Sequence, residues 1–487
     1  MSVSYKCKND DSCIILAIDV GGSKFVIGYV ETNGTILCQK RYTWGSDSRT
    51  PTIVVEEICS RIDQLKAIYP EWASRTIAAG MTLPGFVNTN DGIWVESDFM
   101  GAHNYPISEQ MSKRIGIPVY ADNDCKACAL AERLYGAGGA SDDFLYMTVS
   151  NGIGGSIYID GLPYGGAFGH AGELGLFVMQ ENGRDSETDC SGVLETYASG
   201  RGFHQTYVEA GGNETDSEGN ITGGLYISEK AAAGEQAALT TFSKQGYWLG
   251  RGLASALSLL DPGRVIVGGG LSMVFERYRY QLLTTLRRCN PLYAIDPIPI
   301  EPTMLGYLGA FLGAAALALR GLGLCDPAPN PQIEKNDELV VSINSTVSSF
   351  LTIRGQKHHG IHGHGGDLAG LIVDDSSTLT LGEAISTRGM IRHWKETGGT
   401  SVSANSTLSD LIAAADSNDE KAQATLAKAG HYLGKAVAIE CVLMDPQRVR
   451  IQGEFVRARH WFESSFMQTL QTETYYRGKL PFSILFE

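Results

Sequence analysis

The residues of this chain best suited to chemistry fall in five clusters. The first is Asp19-Val20-Gly21-Gly22-Ser23-Lys24, between an apolar run, Cys13–Asp19, and a second stretch of strand character, Lys24–Glu31. Glycines at such a turn let backbone N–H groups approach phosphate oxygens, and an Asp beside them could hold Mg2+ through water. A plain hairpin turn would use the same glycines. The second cluster, Thr148-Val149-Ser150-Asn151-Gly152-Ile153-Gly154-Gly155, repeats the device between Phe144–Ser150 and Ser156–Asp160. The third, Gly268-Gly269-Gly270, closes the strand-like Arg264–Val267. Bare backbone there could take a flat base or ribose; a tight strand-to-helix turn is the alternative. The fourth is Asp122-Asn123-Asp124 at a helix start, where Asp and Asn are good caps. Asp122 is expected to be the structural one. Asp124 falls in the first turn, where a carboxylate could take the proton of a hydroxyl attacking phosphorus. The fifth joins Gly169-His170-Ala171-Gly172-Glu173-Leu174-Gly175 to Leu194-Glu195-Thr196-Tyr197-Ala198-Ser199-Gly200. Glu173 and Glu195 could each accept paired hydrogen bonds from vicinal hydroxyls, although either alone reads as a surface residue.

These clusters need elements to hold them. Strand, glycine turn, strand is a hairpin; a dinucleotide-binding start would need a helix after the glycines. Periodicity predicts a helix over Ile53–Ile68, strands over Thr76–Leu83 and Pro118–Asp122, and a helix over Asn123–Tyr135. Pro84-Gly85 ends the first of those strands. Glu209–Gly224 reads as a surface loop, Ala231–Leu260 as one helix and Tyr307–Leu319 as a small-residue helix. Two glycine hairpins facing each other from two lobes would form a phosphate clamp.

Composition narrows the function. A formal net charge of −15 over 487 residues argues against nucleic acid as the main partner. It does not exclude a small anion held by backbone N–H groups. The 10 cysteines show no dense framework. Cys125 and Cys128 form a lone C-x-x-C in a helix, where buried thiols act as small apolar residues. Met1–Asp11 lacks the order of a signal peptide, and Leu305–Leu319 is too short to span a bilayer, so no membrane partner and a cytoplasmic location are expected.

In this order and combination the motifs resemble the ROK family of sugar kinases, from Ile15 to Leu319. The resemblance implies an α/β chain with the two-lobed actin/hexokinase/Hsp70-type ATPase fold, its lobes ribonuclease H-like. It implies ATP and Mg2+ as cofactors and a hexose or hexosamine phosphorylated at its primary hydroxyl. On that basis Asp19, Gly21, Gly22, Ser23 and Lys24 belong to the first phosphate loop, and Thr148, Gly152, Gly154 and Gly155 to the second. Gly268, Gly269 and Gly270 would lie at the adenosine. Asp124 would be the catalytic base, and Gly85, Asp98, Asn123, Asp124, Glu173 and Glu195 the sugar site.

Three departures accompany the match. The family's His after Glu-x-Gly is Leu176 here, and an apolar side chain neither binds metal nor bonds a hydroxyl. The family's zinc cysteines correspond to Ser186, Thr188 and Val193, with Cys190 out of place, so no structural zinc is expected. The family's sugar-binding Asn after the second hairpin strand is Asp98. The rival reading is a sugar sensor without catalysis, like the family's transcriptional regulators; about a dozen residues before the first strand are too few for their helix-turn-helix.

The chain also repeats itself. A shift of 194 positions brings Asp143, Leu145, Gly166, Gly169, His170 and Gly172 onto Asp337, Leu339, Gly360, Gly363, His364 and Gly366. The shift falls to 187 at Ser199 and Arg201, then to 184, matching Asp261, Pro262 and Gly269 to Asp445, Pro446 and Gly453. The expected organisation is a first lobe over 12–135, closed by a helix at 305–320, and a second lobe over 136–304. A Pro-rich linker follows at 321–335, then a degenerate copy of the second lobe at 336–487. The copy reads as catalytically dead: Thr346, Ser348 and Ser349 replace Gly152, Gly154 and Gly155, Gln452 and Glu454 replace Gly268 and Gly270, and Gly382 replaces Glu195. His358, His359, His362 and His364 invite a metal reading, but His364 simply matches His170. Since ROK kinases resemble one another in pairing through second lobes, the copy could make one chain a pseudo-dimer; a homodimer is the other option.

Overall fold

The computed structural model describes residues 13–45, 50–187, 190–328, 336–399, 402–403, 405–476 and 480–487. The expectations for Met1–Asp11, Thr188 and residues 329–335 of the linker lie outside the described residues.

The first sheet begins with β1 (Ile14–Val20), β2 (Lys24–Glu31) and β3 (Ile36–Thr43), joined by tight turns. It is completed by β4 (Thr76–Leu83) and β8 (Val119–Asn123), in the order β3-β2-β1-β4-β8. Between them β5 (Phe86–Asn88), β6 (Ile93–Ser97) and β7 (Ala102–Tyr105) form a small sheet. The apolar run of β1 is continuous because both faces are covered. Ile14, Leu16 and Ile18 pack with Val54, Ile58 and Ile62 of the Pro51–Ile68 helix. Ile15 and Ala17 pack on the other face with Phe311 and Ala314 of the Gly309–Gly321 helix. That helix lies so close that a Cβ on Gly80 of β4 would sit 1.7 Å from the Ala314 carbonyl.

The second sheet is β9 (Phe144–Val149), β10 (Ile153–Ile159), β11 (Leu162–Tyr164), β12 (Val265–Gly268) and β13 (Ile300–Pro302), ordered β11-β10-β9-β12-β13. The third uses β14 (Glu338–Ile343), β15 (Val347–Ile353), β16 (Gln356–Lys357), β17 (Arg448–Gln452) and β18 (Ser483–Phe486), ordered β16-β15-β14-β17-β18. In all three the first β-strand pairs antiparallel with its hairpin partner and parallel with a later strand.

Two sequence expectations need correction. Ala231–Leu260 is not one helix: Gly224–Ala232 and Gln236–Leu260 are separated by Gly234, whose φ of +83° ends the first helix in the left-handed conformation. The alanines on both sides mask that stop in the sequence. The cap of the Asp124–Tyr135 helix is Asn123, not Asp122: its Oδ1 accepts from the N–H groups of Cys125 and Lys126. Asp122 is the last-but-one residue of β8 and pairs with Arg320 inside the protein.

The second and third sheets share one apolar core, and their contacts are reciprocal, as a two-fold pairing of like units requires. Asp445 accepts from the backbone N–H groups of Phe168 (2.8 Å) and His170 (2.9 Å). Its counterpart Asp261 accepts from those of His362 (2.9 Å) and His364 (3.0 Å). The Gly172 and Gly366 amides donate to the Leu443 and Leu259 carbonyls, both at 2.8 Å. Tyr164 Oη and His358 Nε2 reach the Met444 and Leu260 carbonyls, again at 2.8 Å. His362 Nδ1 lies 2.7 Å from Asp261 Oδ1, so this histidine of the cluster, like His358, is engaged across the pairing.

Candidate active site

The site lies outside the carboxyl ends of the parallel strands, the usual place for ligands in such sheets. Asp19 of β1 stands beside Thr82 of β4, and Thr82 stands beside Asp122 of β8. The Thr82 hydroxyl donates to Asp19 Oδ1 at 2.7 Å. Burial raises the Asp19 pKa, while the Thr82 bond and the Lys24 and Arg41 charges act against the rise. The first hairpin turn is closed by the Gly21 amide donating to the Lys24 carbonyl at 2.9 Å, and the Trp44 indole N–H donates to the Gly21 carbonyl at 3.0 Å. Ser23 and Lys24 are exposed at its tip. The exposed Phe99 ring, next to exposed Asp98, lies over Gly22, where a Cβ would meet it at 3.2 Å.

Asp124 opens the Asp124–Tyr135 helix with its side chain reaching cleft solvent. The surrounding protein mass and the nearby Asp19 carboxylate push its pKa up to about 6, against the pull of the Cys125 N–H. Asn123 beside it is tied down, its Nδ2 donating to the Gly85 carbonyl at 2.9 Å. Gly85 adopts φ +90°, and a Cβ there would lie 2.2 Å from the Glu96 carbonyl. The C-x-x-C thiols of Cys125 and Cys128 are driven well above the ordinary range by burial.

The second hairpin approaches from the other lobe. A Cβ on Gly154 would lie 3.5 Å from Cys125 Sγ, which places this turn against the first turn of the Asp124 helix. Gly155 is needed for close approach of the 172–174 segment: a Cβ would come within 2.5 Å of the Gly172 carbonyl. Gly152 makes room for Glu195, whose Oε2 accepts from the Ile153 amide at 2.8 Å and whose Oε1 meets Arg201 Nη2 at 3.3 Å. Glu195, expected at the sugar, thus braces the glycine turn in this conformation. Gly268 pairs with Thr148 in register, Gly269 adopts φ +79°, and a Cβ on Gly270 would meet nothing within 4 Å. Glu173 lies where Lys126, Cys125 and Glu195 all feel its charge. Burial pushes its pKa up to about 7, with Lys126 opposing and Glu195 and Asp445 adding to the rise. Leu176 packs against the second-lobe core.

The structure therefore gathers Asp19, the first hairpin, Asp124, the second hairpin and Glu173. These residues fit a polyphosphate with a divalent cation: Asp19 raises the Asp124 pKa, a repulsion that a cation relieves, and Gly270 leaves open space. Sequence reasoning missed Thr82, Lys126, Phe99 and Arg201. Only the pairing of β1 with β4, or the approach of distant segments, reveals them. A cavity of about 410 Å³ lined by Asp261, Asp296, His362 and His364 lies elsewhere, on the pairing between second lobe and copy.

In the copy the same positions are bridged. Ser349 Oγ donates to the Gly366 carbonyl (2.6 Å) and accepts from the Leu368 amide (2.8 Å). Gln452 Nε2 donates to Ser342 Oγ at 2.7 Å, across the place where Gly268 faces Thr148 in the first copy.

Known proteins agree with this architecture. The chain is 29% identical over 320 residues to a glucokinase of Streptomyces coelicolor, covering 63% of this chain and 97% of that one. It is 28% identical over 312 residues to an N-acetyl-D-glucosamine kinase of Pasteurella multocida, covering 62% and 98%. A ROK family glucokinase from Streptomyces griseus, solved with glucose and AMPPNP, superposes with a TM-score of 0.52 at 27% identity, covering 63% of this chain and 99% of that one. The fold is the two-lobed actin/hexokinase type, extended by a second segment of the same family. The ROK family pattern matches residues 15–320 and again 352–481, and the chain belongs to the ROK family.

Proposed function

We propose that this chain is an ATP-dependent kinase that phosphorylates the primary hydroxyl of a hexose or hexosamine. The observation that carries the reading is Asp124: an exposed carboxylate at a helix start, near Asp19 and next to Cys125, which Gly154 of the second hairpin approaches, its pKa pushed up to about 6. Such a group is ionised at neutral pH yet basic enough to accept a proton. Relatives named glucokinase and N-acetyl-D-glucosamine kinase support the substrate class.

When bound, ATP supplies the γ-phosphoryl group and Mg2+ spreads its charge. Gly21, Gly22, Ser23 and Lys24 would hold the phosphates from one side, and Thr148, Gly152, Gly154 and Gly155 from the other. Asp19 would hold Mg2+ through water, and Gly268–Gly270 would face the adenosine. Gly85, Asp98, Asn123, Glu173 and Glu195 would orient the sugar. Asp124 takes the hydroxyl proton as the sugar oxygen bonds to phosphorus and the bond to the ADP oxygen breaks. Closure of the lobes excludes water. In this reading 12–135 with the helix at 305–320 is the first lobe, 136–304 the second, and 336–487 a pairing unit without chemistry. That unit would take the place of a second subunit, in a cytoplasmic enzyme.

The test is ADP release from Mg-ATP with a panel of hexoses, N-acetylhexosamines and pentoses, repeated with Asp124→Asn. Sugar-dependent ADP release that drops at least about a thousandfold in the variant supports the proposal. Undiminished turnover in Asp124→Asn removes Asp124 as base. Sugar binding without ADP release from the folded wild type would favour a sensor.

A further inference from the structure

The degenerate copy reaches the sugar side of the cleft. Loop 165–173 carries Glu173, and four of its backbone N–H groups donate to the copy. Ala167 donates to the Asp445 carbonyl and Gly172 to the Leu443 carbonyl, both at 2.8 Å. Phe168 and His170 donate to the Asp445 carboxylate, at 2.8 and 2.9 Å. From the first lobe, Lys126 Nζ donates to the Gly169 carbonyl of the same loop at 3.1 Å. The His170 ring is held edge-on between Phe86 of the first lobe (5.2 Å) and Tyr475 of the copy (5.9 Å). Tyr476 completes the arrangement, its hydroxyl donating to Asp445 Oδ1 at 3.0 Å. By the repeat register, Tyr475 and Tyr476 stand where the second lobe has Pro291 and Leu292. Among the described residues the mirror-related Asp261 has no such tyrosine pair at these positions, and the side-chain partners of its loop, 361–364, come from the second lobe.

We propose that the copy, through Asp445 seconded by Tyr476 and Tyr475, positions loop 165–173 and so sets the enzyme's affinity for its sugar. This rests on the kinase reading above only in naming the ligand a sugar. Asp445 is wholly buried, so the loop's amides have no water to replace it. Asp445 is a positioning residue: it touches Phe168 and His170, and through them fixes the backbone that carries Glu173.

The near-symmetry provides the control. Asp261 makes the same two amide bonds on the far side of the same pairing, away from the cleft. In the full chain, Asp445→Ala is expected to raise the KM for glucose or N-acetylglucosamine about tenfold, with the ATP KM within about twofold of wild type. Asp261→Ala is expected to lower the melting temperature by a similar amount and leave the sugar KM unchanged. Asp445→Asn keeps an oxygen acceptor and should stay within about threefold of wild type. Should Asp445→Ala fail to fold, Tyr476→Phe removes one hydroxyl and should raise the sugar KM about threefold.

Amide hydrogen exchange over 167–174 needs no substrate and reads the loop directly. Faster exchange there in Asp445→Ala, with none in Asp261→Ala, supports the positioning role even if no sugar is turned over, an outcome that would count against the kinase reading alone. Equal rises in sugar KM and loop exchange from Asp445→Ala and Asp261→Ala would overturn the proposal, as would wild-type values for Asp445→Ala.

Discussion

Asp261 and Asp445 perform the same task on opposite sides of one interface. Each follows a 25-residue helix, Gln236–Leu260 or Glu420–Met444, in the left-handed conformation, and each accepts two backbone N–H groups from the other half. One of the loops so held, 165–173, carries Glu173 and meets the first lobe at Lys126 and Phe86. The repeat thus keeps the same pairing contact on both sides of the interface.

On the proposed kinase reading, the Asp124 carboxylate sets the pH dependence of the reaction. A base works only when ionised, and the surrounding protein mass with the Asp19 charge has moved this group up to about 6. The value of kcat/KM is expected to be flat above neutral pH and to fall as pH drops through about 6, well above the range of an ordinary carboxylate. A pH–rate profile between 5 and 8.5 checks this; an acid limb below about 4.5 would mean that another group limits the reaction.

Adjacent glycines of the second hairpin should separate binding from folding. A methyl on Gly154 meets ordinary contacts of 3.4 Å or more, whereas one on Gly155 collides with the Gly172 carbonyl at 2.5 Å. Gly154→Ala is expected to melt within about 0.5 kcal/mol of wild type and to raise the ATP KM about tenfold. Gly155→Ala is expected to cost about 2–3 kcal/mol of stability by overpacking. Thermal melts and ATP titrations on the pair test both statements.

The buried Asp122–Arg320 pair ties the Gly309–Gly321 helix to the first sheet at 3.3 Å, with side chains 1% and 5% exposed. Arg320→Ala leaves Asp122 as a lone buried charge next to Asn123 and Asp124. The expected loss is about 3–5 kcal/mol, measured by denaturant unfolding. Asp122→Asn added to it should recover part of the loss.

Glu440 sits fully buried where the second lobe has Ala256. Burial, with Asp337 and Asp445 adding to it and Cys441 opposing, pushes its pKa up to about 8. A carboxyl whose folded pKa lies above its unfolded value binds a proton on folding. Its contribution to stability is full below the ordinary value of 4.5 and is lost as pH rises through about 8. Glu440→Gln should therefore melt close to wild type at pH 5 and be more stable at pH 9 by on the order of a few kcal/mol. Equal melting at both pH values would show that folding does not raise the Glu440 pKa.

Much of this protein was determined by local sequence. Apolar runs broken by glycine-bearing segments specify the hairpins β1–β2 and β9–β10. Gly21, Gly22 and Gly152 sit at the turns, whereas Gly154 and Gly155, expected in the turn, lie within β10, where Gly155 admits the close approach of Gly172. The repeat register matched Asp261 with Asp445 and suggested a pseudo-dimer beside a homodimer; that these two aspartates hold each other's halves is read only from the structure. The break at Gly234 and the capping role of Asn123 were local too, but helix-forming alanines and a neighbouring Asp obscured them. Other features were decided only by tertiary structure. Thr82 reaches Asp19 through a parallel pairing of strands 63 residues apart, and Glu195 meets the Ile153 amide across 42 residues. Asp445 lies 275 residues beyond His170 in the chain yet accepts its N–H. Such contacts arise from how whole sheets and helices bury their faces against each other, and no periodicity or spacing within one segment encodes them.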